Sequence, residues 1–106
     1  MESKSSLVRG LKHEGDLMRR HVEMLRLVVK EGPIGIIRLS QRLKMPQHKV
    51  RYSLRMLEQD GLVKATPDGA VATDKVASTM AGVQSLLEQM SEEIGDLRES
   101  LRSKRE

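Results

Sequence analysis

The last third of the chain carries the pattern that most restricts its fold. Val76, Met80, Val83, Leu87, Met90, Ile94, Leu97 and Leu101 follow one another at alternating steps of four and three residues. That alternation fills the a and d positions of nearly four heptads, with Met80, Leu87, Ile94 and Leu101 at a. Only an α-helix keeps such residues on one stripe, and the helix predicted here is about 40 Å long. The rest of a 106-residue chain is too small a domain to offer a surface of that length. These eight residues are therefore expected to form a dimer interface. Leu86 at g widens it toward a higher oligomer, and Glu93 at g with Arg98 at the following e suits a parallel pair. Parallel and antiparallel arrangements otherwise both stay open. Gly82 and Gly95 fall at c and b, where they weaken the helix without interrupting the seam.

Upstream, the spacing is again helical through Leu7, Leu11, Leu17, Met18, Val22, Leu25, Val28 and Val29. Gly10 and Gly15 each cost about 1 kcal/mol relative to Ala inside a helix. The helix is accordingly expected over 16–30, with Asp16 as the anion at its N-terminus. The polar start, MESKSS, is expected to fray. Gly32 caps the helix and Pro33 cannot continue it. A short helix over 36–43 follows, with Ile36, Leu39 and Leu43 on one face beside the small Ser40, and Ile34 ahead of it is placed for an isolated β-bridge. Pro46 suits the first position of a third helix that runs to Gln59 and ends at Gly61. LVKATPDGAVAT then reads as a hairpin around Pro67, Asp68 and Gly69, and Thr73 or Asp74 is expected to cap the long last helix. One Tyr, no Phe and no Trp leave Leu, Val, Ile, Met and Ala for the core, which suits helices better than a large sheet. The fold class is mainly α with a small β-hairpin, in two parts at 1–75 and 76–106.

Charge is unevenly spread. The net +4 arises in the middle: residues 32–73 hold seven basic and three acidic side chains, whereas 74–106 hold five and seven. Lys44, Lys49, Arg51 and Arg55 fall within a dozen positions of one another, together with Tyr52, the one aromatic ring. At about 100° per residue, Val50, Leu54 and Leu57 form a buried stripe on the 46–59 helix. His48, Tyr52, Arg55 and Gln59 face the other way, with Lys49 and Arg51 on the flanks. Lys49, Arg51 and Arg55 can neutralise phosphates, the Tyr52 hydroxyl can reach a phosphate oxygen, and Gln47 and His48 occupy the first turn. Arg can also bond guanine in bidentate fashion and Gln adenine. A polar face of this kind more often merely solvates its helix. Here the helix follows a compact turn and precedes a hairpin, an order that favours a reading helix inserted into the major groove of double-stranded DNA.

LSQRLKMPQHKVRYSLRMLEQDGLV resembles the second and third helices of the winged-helix family of prokaryotic transcription regulators. The resemblance is carried by Leu39-Ser40, Leu43, a turn, then Val50, Leu54, Leu57 and the closing Gly61-Leu62-Val63, and it covers about residues 16–75. GPIG at 32–35 is similar to the start of the second helix in several of those regulators, and small archaeal regulators with a long terminal helix are similar in layout. The resemblance implies a winged helix-turn-helix DNA-binding domain over 1–75 and a coiled-coil dimerisation helix over 76–106. It puts Gln47, His48, Arg51, Tyr52 and Arg55 on positions that often contact DNA. Lys44 stands where many relatives have Gly, so the turn is either more open or holds Lys44 in the left-handed region. The hairpin tip, residues 66–70, carries Asp68 and no Lys or Arg, so few phosphate contacts are expected there; Lys64 and Lys75 flank it and Lys64 joins the candidate DNA-binding set.

Other chemistries find little support. His13, His21 and His48 share no chelating spacing with each other or with carboxylates, and there is no Cys, so no metal or cofactor is expected. His21 reads as a core-edge residue. No phosphate loop, nucleophile elbow or H-E-x-x-H occurs, and an enzyme is not expected. The longest apolar runs are too short to span a bilayer, and a soluble cytoplasmic protein is expected. The expected function is a homodimeric, sequence-specific transcriptional regulator. Its alternatives are a winged-helix protein–protein interaction module and a sequence-indifferent architectural DNA-binding protein.

Overall fold

The computed structural model describes residues 5–103; the start of the polar segment expected to fray, and the last three residues of the 76–106 helix, lie outside the described residues. The elements run α1 (Ser6–Glu31), α2 (Ile36–Leu43), α3 (Gln47–Gln59), β1 (Val63–Thr66), β2 (Gly69–Ala72) and α4 (Val76–Ser103). The protein is thus mainly helical, with one antiparallel hairpin and a long C-terminal helix. It divides into two compact units, the first ending at Asp74 and the second beginning at Lys75. Among the described residues no helix is long and apolar enough to cross a membrane.

α1 is longer than its glycines suggest. It begins at Ser6 rather than near Asp16, because the Ser5 hydroxyl accepts the Val8 N–H at 3.3 Å and caps the first turn. Asp16 is consequently not an N-terminal anion; it lies within the helix and pairs with Lys12 at 3.6 Å. The helix ends at Gly32, whose N–H reaches the Val28 carbonyl at 2.8 Å. A Cβ at Gly32 would stand 2.6 Å from that carbonyl oxygen and 3.0 Å from that of Ala70, so no larger residue lets the chain leave α1 this close to β2. The Gly32–Pro33 peptide is cis.

The hairpin pairs Val63 with Ala72 through to Thr66 with Gly69, leaving Pro67 and Asp68 as the turn. Ile34 adds the expected bridge: its N–H and C=O both bond Ala70, at 3.1 and 2.9 Å. Gly69, at φ +126°, has its open side 2.6 Å from the Ile34 backbone, so glycine is required there twice over, for conformation and for room. Thr73 closes the hairpin. Its hydroxyl donates to the Gly61 carbonyl and its N–H to Leu62, tying the end of the hairpin to its base. In the first turn of α4 the Lys75 carbonyl accepts from the Thr79 N–H at 3.1 Å.

Around this frame the first unit buries Met24, Leu25 and Val28 of α1, Ile34, Leu39 of α2, Val50, Ser53 and Leu57 of α3, and Leu62, Val63 and Ala70 at the hairpin. Ile36 and Leu43 complete the inner face of α2 half-buried. The earlier part of α1 contributes nothing to this core, and Leu7, Val8 and Leu11 are exposed. Glu31 at the end of α1 receives Arg42 and, at 3.6 Å, Arg38, which fastens α1 to α2. The hydrogen bond from Arg42 holds the Glu31 carboxyl below its ordinary range, with the Arg42, Arg38 and Lys30 charges acting the same way against partial desolvation.

The second unit is the single helix α4, with no fully buried side chain among its described residues. Of the expected seam, Val76, Met80, Val83 and Met90 are half-covered, while Leu87, Ile94, Leu97 and Leu101 are exposed.

Candidate nucleic-acid interface

The site starts at the turn between α2 and α3. Lys44 takes the left-handed conformation at φ 55°, the position a Gly would favour, and its N–H returns to the Ser40 carbonyl. Met45 N–H bonds the same carbonyl at 3.2 Å, and the Ser40 hydroxyl donates to the Met45 carbonyl. The turn is therefore closed rather than open. Ser40, chosen for its size in the sequence pattern, also supplies the bond that closes it. Pro46 then acts as the N-cap, with extended backbone, and Gln47 rather than Pro46 is the first residue of α3. Gly61, left-handed at φ 77°, takes the chain out of α3 into β1.

α3 buries Val50, Ser53 and Leu57, with Leu54 only half-buried. The buried stripe is thus turned by roughly 30° from the one that Val50, Leu54 and Leu57 define. Away from it, Gln47, His48, Lys49, Arg51, Tyr52 and Arg55 all reach solvent. Gln47 and Arg51, one turn apart, are bonded at 3.4 Å from the Arg51 guanidinium to the Gln47 amide oxygen. Lys64 is also exposed, on β1, a separate element of the same unit. The structure therefore places six of the seven sequence-derived residues on one helical surface.

The rotation of α3 has a polar cause. Ser53 is wholly buried, and its hydroxyl receives the Arg20 Nε–H at 2.9 Å and faces His21 Nδ1 at 3.0 Å. With the imidazole hydrogen on Nε2, Nδ1 accepts the Ser53 hydrogen, and both ends of the hydroxyl are satisfied. Burial lowers the His21 pKa first, the neighbouring Arg20 charge lowers it further, and Asp60 opposes both. The neutral imidazole that this bonding needs is thus the favoured form. Tyr52 borders the same cluster: the Arg20 guanidinium lies 5.8 Å from its ring centroid and the His21 ring 6.1 Å away, tilted by 34°. Tyr52 is 44 % exposed, so its ring is braced on one side and open on the other.

A groove of about 610 Å³ lies beside the first turn of α3, lined by Gly35, Ile36, Ile37, Arg38, Gln41, Gln47 and Arg51. Arg38 and Gln41 were absent from the sequence-derived set. Their signal was present, since both are polar residues on the outer face of an eight-residue helix immediately before the turn. Arg20 was missed for a different reason, as nothing local connects position 20 with position 53. No group of His, Cys, Asp and Glu able to hold a metal ion occurs among the described residues. The chain matches no protein-family model and no curated protein sequence.

Proposed function

We propose that the protein is a winged helix-turn-helix DNA-binding regulator of transcription, working in the cytoplasm as a homodimer and reading the major groove with α3. The observation that carries the reading is the two-sidedness of α3. One side is fixed in the core by Val50, Ser53 and Leu57, and the other presents Gln47, His48, Lys49, Arg51, Tyr52 and Arg55 to solvent behind a closed turn. A helix held this way can enter a groove as a rigid body, with its N-terminal residues on base edges and its cations on phosphates. Arg51 and Gln47, already bonded side by side, offer the two side-chain types that discriminate guanine and adenine. Pairing through the α4 seam from Val76 to Leu101 gives the assembly two such helices, suited to a site with twofold symmetry.

The acidic tip of the hairpin favours a second reading, in which the same domain is a protein–protein interaction module. Asp68 stands there without a cation between Thr66 and Ala70. The Arg51→Ala, Arg55→Ala double variant separates the two. It is expected to lose duplex DNA binding while circular dichroism and sedimentation stay as in the parent. Unaltered affinity would remove α3 as the reading helix.

A further inference from the structure

Arg20 is a closely held cation of the first unit. Its neighbour Arg19 is engaged with Glu23 at 3.1 Å, and Arg38 and Arg42 are engaged with Glu31. Arg20 meets no carboxylate among the described residues. Its Nε–H is spent on the buried Ser53 hydroxyl and its Cζ lies over the Tyr52 ring at 5.8 Å, while its two Nη groups form no hydrogen bond among the described residues. An arginine side chain held at two points has already lost much of the rotamer freedom that a contact would otherwise cost it. Ser53 and Tyr52 are adjacent in α3, and Lys49 lies four and three residues before them, on the same side of the helix. Tyr52, whose hydroxyl forms no hydrogen bond among the described residues, and Lys49 therefore share the flank of α3 that Arg20 of α1 meets.

We propose that Arg20, Tyr52 and Lys49 form a phosphate-binding site at the α1–α3 junction, in which the fixed Arg20 guanidinium grips a backbone phosphate of the same DNA duplex that α3 reads. The site rests on the DNA-binding reading and adds a contact from outside the helix-turn-helix. Its chemistry is that of a planar fork of N–H donors meeting a phosphate, with a phenol and an ammonium beside it. Because it touches no base, it sets how α3 is seated without contributing sequence preference.

The salt dependence of duplex binding tests it, since each neutralised phosphate contributes about 0.9 to the slope of log affinity against log salt. Arg20→Met removes the charge and both free donors, and its slope is expected to fall by about 0.9 with the preference between sequences unchanged. Arg20→Gln retains an amide that can serve Ser53 and is expected to show the same fall, which guards against a folding defect in the Met variant. Arg20→Lys keeps the charge and is expected to keep the slope. A purely structural Arg20 would weaken binding in the Met variant and in Ser53→Ala alike, with the slope unmoved in both; that result overturns the site. If the parent binds DNA and the Arg51, Arg55 double variant does not, an unmoved Arg20 slope defeats this inference alone. No binding by the parent defeats both.

Discussion

The second half of α1 and the whole of α4 both carry apolar residues at helical spacing, yet only in α1 are any of them fully buried. In α1, Met24, Leu25 and Val28 are at most 3 % exposed, closed over by elements that follow in the same unit. In α4, Leu87, Ile94, Leu97 and Leu101 remain between 38 % and 73 % exposed. The width of the stripe separates the two cases. Residues 24, 25 and 28 spread over adjacent faces, as a helix packed in a globular core requires, while α4 keeps to a narrower a/d seam with Leu86 at its edge. Spacing alone says that a stripe needs cover; its width and length say whether the same domain or a second helix supplies it.

The sharpest way to break this contrast is a charge in the seam. If the proposed dimer forms through this seam, Leu87→Lys is expected to give a monomer in sedimentation and to lower helix content, because an unpaired helix with two internal glycines is marginal. The first unit should unfold at its original denaturant midpoint. A persistent dimer would place the interface elsewhere. The matching change in the covered stripe, Met24→Ala, should cost about 2–5 kcal/mol in denaturant unfolding and leave the oligomeric state alone. A cost well below 1 kcal/mol would mean that the α1 stripe is no better covered than that of α4.

A smaller effect comes from pH. His21 titrates below its ordinary 6.5 in the folded protein, so the unfolded chain binds its proton more readily. Its contribution is fully present above pH 6.5 and is lost as pH falls from there through the folded-state value. Glu31, also lowered, gives stability that is present above 4.5 and lost only in the more acidic range below it. Denaturant midpoints followed from neutral pH to about 5 should therefore decline in the parent and hold nearly level in His21→Gln. Parallel curves would show that the Ser53 cluster does not depend on a neutral imidazole.

Much of the fold was legible because it is written in local residues. The breaks at Gly32-Pro33 and Met45-Pro46, the hairpin turn at Pro67-Asp68 and the limits of α2 and α3 follow from backbone preferences of the residues in place. The misses differ in cause, one local and one distant in sequence. Asp16 looked like a helix start, but the cap at Ser5 carries α1 through both glycines, and neither meets anything within 4 Å of an added Cβ. The burial of Ser53 on α3 follows from Arg20 and His21, more than thirty residues earlier, which give its hydroxyl partners. The basic outer row of α3 was readable from composition and a helical wheel; the clustering of Arg20 beside it was not.

The most direct test of the central claim is fluorescence anisotropy of a labelled random-sequence duplex titrated with the protein at low and at physiological salt. The account predicts clear binding at low salt that weakens steeply as salt rises, as expected when Lys49, Arg51 and Arg55 displace counterions from phosphates. Absence of binding even at low salt would contradict it, and would assign the exposed face of α3 to a protein partner.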